Sequence, residues 1–211
     1  MTLMQYFMSD ISPFFIPENT VCLEDVIKKS RFLTYLAHTP GREAALAYIR
    51  QIKAEHPAAR HHCSAFIAGN PGDGQQWGFS DDGEPSGTAG KPMLAQLQGS
   101  GLGEVCAVVV RYSGGIKLGT GGLVKAYGGG VADALRQLQS REKIPQYTFS
   151  LQCEYGTLKT VEYLLAQYSG VIEERLYTEI IILRCSLDAR CYNAFCQQLL
   201  QASDGQLQPQ K

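Results

Sequence analysis

Residues Gly78–Val131 read GFSDDGEPSGTAGKPMLAQLQGSGLGEVCAVVVRYSGGIKLGTGGLVKAYGGGV, and the order of loops and apolar runs in this stretch decides the fold. It carries fifteen of the chain's 22 glycines, so backbone shape matters here as much as side chains. Two glycine-rich loops, GEPSGTAGK and RYSGGIKLGTGG, each run into an apolar, helix-like segment: Met93 to Leu97 after the first, Leu123 to Leu138 after the second. Between them Glu104–Arg111 reads as a strand, and its continuous apolar run Val105–Val110 is the pattern of a central strand buried on both faces. Ser86 or Thr88 is expected to cap the first helix, with Pro92 in its first turn, and Thr120 to cap the second. Gly128, Gly129 and Gly130 inside the second helix each cost about 1 kcal/mol against alanine. Close packing, or close approach of a ligand or partner, would offset that cost.

A loop that delivers glycines to a helix N-terminus leaves several backbone N–H groups free, and such a point attracts anions. Each loop also brings a lysine: Lys91 to the first, Lys117 to the second, with Lys125 about a turn into the second helix. The residues therefore suggest a phosphate- or carboxylate-binding surface made of Ser86, Gly87, Thr88, Gly90, Lys91, Lys117, Thr120, Gly121, Gly122 and Lys125. Neither nucleotide fingerprint is present. Gly90-Lys91 is followed by Pro92 rather than Ser or Thr, and Gly119-Thr120-Gly121-Gly122 does not complete G-x-G-x-x-G. No cofactor is expected. The acidic turn Asp81, Asp82, Glu84 has three readings: an ordinary Asp-Gly turn, an acid–base or cation site, or charge partners that position the loop.

Upstream, Phe14–Ile16 reads as an edge strand, Val21–Leu23 and Ile27–Leu36 as strand, and Gly41–His56 as a helix stopped by Pro57. Lys28, Lys29 and Arg31 form a short basic run that reads as a solvated strand end. Arg60–Gly69 is a strand, on which His61 and His62 point to opposite faces, so at most one can serve any given site. No H-E-x-x-H or matched cysteine spacing accompanies them, so no metal site is expected. Downstream, Gln139–Gln146 reads as a linker, dividing the chain into residues 1–140, a linker at 141–146 and a second domain at 147–211. The second domain reads βαββα(β), with strands at 147–155, 171–177 and 179–187, helices at 156–168 and 189–201, and a short strand at 206–208; this order suggests a small ferredoxin-like α/β sandwich.

Whole-chain features set bounds. With 211 residues, 45% hydrophobic and 18% charged, the chain is long and apolar enough for packed cores. Its net charge of −1 does not support nucleic-acid binding through a generally basic domain, though a local patch is compatible with it. Seven scattered cysteines without C-x-x-C spacing point to a reducing, cytoplasmic compartment. The opening residues MTLMQYFMSD lack the basic and apolar regions of a signal peptide, residues 1–13 read as a loose leader, and no apolar run reaches membrane-span length.

Three blocks carry a family resemblance: Arg60–Cys63, Gly78–Pro92, and Val108–Tyr127, with Lys28-Lys29-Ser30-Arg31-Phe32 as an opening motif. Together they resemble the signature of the IMPACT family, over roughly residues 20–138, and the second domain is similar to the companion found in its bacterial branch. The resemblance implies an α+β chain. Its first domain would be like the second domain of a small-subunit ribosomal protein, also seen in domain IV of elongation factor G, and its second domain like domain V of that factor. It implies a role in regulating translation, with RNA or ribosomes as partners. The kinase-restraining mechanism of eukaryotic members relies largely on a further N-terminal domain and does not carry over. On this reading His61, His62, Arg111 and the three lysines line an anionic-ligand surface of a non-enzymatic binding protein. Two other readings stand beside it. One is an enzyme acting on a small phosphorylated or carboxylated ligand, using His61, Asp81, Asp82, Glu84 and Lys91. The other is a protein–protein adaptor that docks through the glycine-rich helix.

Overall fold

The computed structural model describes residues 12–210, so most of the expected leader lies outside the described residues. The chain forms two compact units, Phe14–Lys143 and a second from Ile144 onward. Both mix helices and strands, which makes the protein an α+β chain.

The first unit is built on a five-stranded sheet. Its strands are β2 (Val21–Ile27), β3 (Ser30–His38), β4 (His61–Ile67), β5 (Trp77–Ser80) and β6 (Val105–Tyr112), in the order β2-β3-β6-β4-β5 with every pair antiparallel. The apolar run Val105–Val110 is the central strand, and each of those residues is fully buried. Helices α2 (Gly90–Ser100) and α3 (Thr120–Gln137) pack together on one face, over Phe32, Leu36, Cys63, Ala65, Ala107 and Val109. Helix α1 (Arg42–Glu55) covers the other face, over Leu33, Phe66, Cys106, Val108 and Val110. The alternation of the two residue sets along each strand is the period of two that a sheet covered on both sides requires.

Three local details differ from the sequence reading. β2 and β3 form a hairpin closed by Lys28 and Lys29 alone, both with positive φ (47° and 63°). The region expected as linker contains a strand, β7 (Ser140–Lys143), which pairs antiparallel with β1 (Phe14–Pro17). Lys143 also reaches back to Glu104 at 2.5 Å, so this segment is integral to the first unit. Helix α3 begins three residues earlier than its apolar periodicity indicated.

The second unit is a three-stranded antiparallel sheet in the order β8 (Gln146–Cys153), β10 (Ile181–Asp188), β9 (Val171–Tyr177), with helices α4 (Leu158–Gln167) and α5 (Tyr192–Ala202). Phe149, Leu151, Leu183, Leu187, Leu165 and Phe195 form its core. The last strand expected at 206–208 does not form; a single bridge pairs Ser150 with Gln210 instead.

Candidate functional site

The two glycine-rich loops follow the same design and end in opposite states. At the start of α2 the expected caps do not act. Thr88 is buried and its hydroxyl donates to Pro85 O, and no side chain of the loop itself caps the helix. Asp81, delivered by the acidic turn, takes that role. Its Oδ1 accepts the N–H groups of Ala89 (3.0 Å) and Gly90 (2.8 Å), and its Oδ2 accepts that of Gly87 (2.7 Å). Burial raises the carboxyl's pKa, but the three N–H donors outweigh it and hold Asp81 below the usual carboxylate range. The first helix N-terminus is thus already filled by an anion from the chain.

The start of α3 is open. Gly119 occupies the position before the helix with φ 77°, and Thr120 is the first helical residue rather than a cap. The first turn contains no acid. Among the described residues no acceptor meets the N–H groups of Thr120, Gly121 and Gly122; the first N–H to find one is that of Leu123, to Gly119 O. Thr120 and Gly121 are exposed. Lys117 precedes this turn, and Lys125 follows it on the face of Gly121, about 6 Å along the axis, with its Cβ tilted back toward the N-terminus. Both lysines are exposed and have no ion-pair partner among the described residues, and the same is true of Lys91 on α2.

Two further lysines, Lys28 and Lys29, are exposed at the turn between β2 and β3. The Lys28–Lys29 turn lies directly against the second loop. A Cβ on Gly114 would sit 2.0 Å from Lys29 O, so only glycine permits this approach. Ser30 fastens the junction, its Oγ accepting the Gly114 N–H (3.2 Å). Two adjacent non-glycine residues in the left-handed region are costly, at roughly 1–2 kcal/mol each. The docked loop holds them there, with both side chains exposed and unpaired. The missing signal is turn chemistry: Asn-Gly or Asp-Gly would have announced the hairpin.

Beneath the two loops lies a buried polar network. Arg111 Nη1 and Tyr127 Oη both donate to Glu84 Oε1, at 2.7 and 2.8 Å. The Arg111 guanidinium stacks over Phe32, which meets Tyr127 edge-on. His61 lies at the rim, its Nε2 4.0 Å from Glu84 and its Nδ1 3.0 Å from Asp82 O. Cys63 donates to Asp81 O, and burial pushes its thiol up to about 12; burial likewise raises the Tyr127 phenol. Arg111 is therefore a buried partner of the acidic turn, and Glu84 is what joins that turn to α3; Arg111 is not a free cation. His62 is separated from the others. It sits on the α1 face, buried, with Nε2 on His56 O (3.0 Å) and its backbone N–H on Asp82 Oδ2 (2.8 Å). Asp82 is held below the usual carboxylate range: burial opposes this, but the His62 N–H and Lys53 outweigh it. The acidic turn is thus a set of charge partners that shape the first loop. Among the described residues no group of three His, Cys, Asp or Glu side chains is placed to hold a metal ion, and no helix is long and apolar enough to cross a membrane.

Comparison with known proteins agrees with this architecture. The Impact N-terminal domain model matches residues 28–135, and the Domain of unknown function (DUF1949) model matches residues 151–206. The chain is 58% identical over 193 residues to IMPACT family member YigZ of Escherichia coli (strain K12), covering 92% of this chain and 95% of that protein. It is 51% identical over 197 residues to an IMPACT family member of Haemophilus influenzae, covering 93% and 96% of the two chains. It is 37% identical over 182 residues to IMPACT family member YvyE of Bacillus subtilis (strain 168), covering 86% and 83%. A crystal structure described as that of an hypothetical protein is 56% identical and superposes with a TM-score of 0.75, covering 94% of this chain and 96% of its own. With both domain models matched and relatives of this similarity along nearly the whole chain, the protein belongs to the IMPACT family.

Proposed function

We propose that this protein is a translation-associated regulatory protein that binds structured RNA, as on the ribosome, through phosphate groups held at the start of α3. One observation carries the reading: the N–H groups of Thr120, Gly121 and Gly122 have no acceptor among the described residues, while the exposed and unpaired Lys117 and Lys125 flank them in sequence and the equally exposed Lys28–Lys29 turn packs against the same loop at Gly114. Cations at a helix N-terminus oppose the helix dipole, so the chain concentrates positive potential at a point where folding alone favours a carboxylate. A bound phosphate relieves both conditions. Of the acid–base types that an enzyme at this cleft would use, His61, Asp81, Asp82 and Glu84 are engaged in shaping the first loop, and Lys91 has no ion-pair partner among the described residues.

The test is ribosome co-sedimentation across a salt series, comparing wild type with a Lys28→Ala, Lys117→Ala, Lys125→Ala variant whose fold is checked by circular dichroism. The wild type pellets at low salt. The variant pellets far less, and its dependence on salt is shallower by roughly one unit of logarithmic slope per lysine lost from a phosphate contact. Lys91→Ala, at the filled N-terminus, serves as the control and pellets like wild type. Equal pelleting of the triple variant, or none by the wild type at any salt, removes the reading.

A further inference from the structure

On the α1 face of the first unit, opposite the face that carries α2 and α3, a groove of about 270 Å³ runs between α1 and the edge strand β5. Its floor is β4, where Ser64, only 4% exposed, lines the groove. Phe66, Leu46 and Ile49 supply the apolar lining. Arg42 sits over the Phe66 ring at 5.7 Å with no carboxylate partner among the described residues. Asp82, the acid of this groove, is bound to Lys53 and to the His62 N–H. The unbalanced charge is therefore the positive charge of Arg42.

The free edge of β5 borders the same groove. Ala68 N–H donates to Gln76 O across the β4–β5 ladder, so by the two-residue period Gly78 and Ser80 face β4, and Trp77 and Phe79 turn their peptide groups outward. Those outward N–H and C=O groups meet no partner among the described residues. The register also sets the Phe79 side chain on the face opposite Ser64, so Phe79 brings its peptide group to the groove. The groove is smaller than the roughly 300 Å³ at which small-molecule pockets begin, which suits an inserted side chain better than a whole ligand.

We infer that this groove and edge bind an extended, acidic peptide segment of another protein, added as a sixth strand along β5. A bulky apolar side chain enters between α1 and β5, and a carboxylate two residues away, on the same face of the strand, pairs with Arg42. Main-chain bonds to Trp77 and Phe79 provide affinity, and the groove and Arg42 provide selectivity.

The experiment is selection of a displayed random octapeptide library on the purified full chain, then fluorescence polarisation with a synthetic copy of the enriched peptide. The expected motif is a bulky apolar residue with Asp or Glu two positions from it. N-methylation of alternate backbone nitrogens abolishes binding in one phase and spares it in the other, as a strand paired along one edge requires. Arg42→Glu weakens binding at least tenfold while circular dichroism and ribosome pelleting stay at wild-type levels. An unenriched library, a basic or proline-rich motif, indifference to N-methylation in both phases, or unchanged affinity of the Arg42→Glu variant overturns the inference. Loss of ribosome binding in the lysine variant bears on the other face and leaves this result independent.

Discussion

Replacing Asp81 tests the claim that one helix N-terminus is filled from within. Asp81→Ala leaves the N–H groups of Gly87, Ala89 and Gly90 without their acceptor and the start of α2 without a counter-charge. Hydrogen bonds to a charged group contribute about 1.5–3 kcal/mol each, but Asp81 is half-buried and water can replace part of what is lost. Loss of a helix cap alone costs about 0.5–2 kcal/mol. A loss of about 3 kcal/mol is the consistent figure for alanine. Asp81→Asn can keep the two bonds made by Oδ1 but turns an NH₂ group toward the Gly87 N–H, so about half that loss is expected. The chain's single tryptophan, Trp77, packs against the core of the first unit, so urea unfolding followed by its fluorescence reports on that unit. The folded-state pKa of Asp81 is depressed, so its contribution is fully present above the unfolded value of about 3.9 and is lost as pH falls through the lower folded value. The gap between wild type and Asp81→Asn is therefore constant near neutrality and closes only below about pH 4. The emptied N-terminus of Asp81→Ala should also be stabilised by inorganic phosphate more than the wild type is. Both variants lying within 0.5 kcal/mol of wild type at pH 7, or a gap that widens on acidification, would refute the reasoning.

Glu84→Gln strands the Arg111 guanidinium in the core and should cost about 3–5 kcal/mol, read from the same tryptophan transition; a change below 1 kcal/mol would mean that the pair is solvated. Gly114→Ala forces Lys29 aside, since the added carbon would lie 2.0 Å from Lys29 O; a loss of about 1–3 kcal/mol with weakened ribosome pelleting is expected in thermal melts and sedimentation. In a native thiol-labelling time course, exposed Cys22 reacts early, whereas Cys63 and Cys106, buried and raised to about 12, react only on unfolding; fast native labelling of either would contradict their burial.

Much of the framework was legible because it rests on periodicity. The run Val105–Val110 announced a central strand, and the opposite orientation of His61 and His62 followed from strand geometry. The parts that were not legible depend on contacts between segments distant in sequence. Nothing local marks Asp81 as the cap of a helix that starts nine residues later, because its bonds to Gly87, Ala89 and Gly90 exist only once the turn has folded back. Ser86 and Thr88 had the right chemistry for capping but not the right position. The Lys28–Lys29 hairpin was hidden for a similar reason: its strained backbone is held by Gly114 and Ser30, and residue 114 is 85 positions from Lys29. Arg111 read as a surface cation because its partner Glu84 lies in another loop.

The asymmetry between the two loops carries the functional argument further than the count of lysines does. Both helices have glycine and no acid of their own in the first turn, so both begin with a deficit of negative charge. At α2 the chain corrects the deficit with Asp81, and the corrected loop becomes a rigid wall joined through Glu84 to Arg111 and Tyr127. At α3 it adds Lys117 before the turn and Lys125 after it, and presses a strained dilysine turn against the same loop. Stability alone would favour the first arrangement at both places, because an internal carboxylate satisfies the N–H groups without needing another molecule. On the proposed reading, an external anion supplies at α3, beside Lys117 and Lys125, what Asp81 supplies at α2. The buried Glu84–Arg111–Tyr127 network then has a clear role. It ties the acidic turn to α3 at Tyr127, two turns from the helix start, so that the open N–H groups are presented on a rigid element rather than on a free loop.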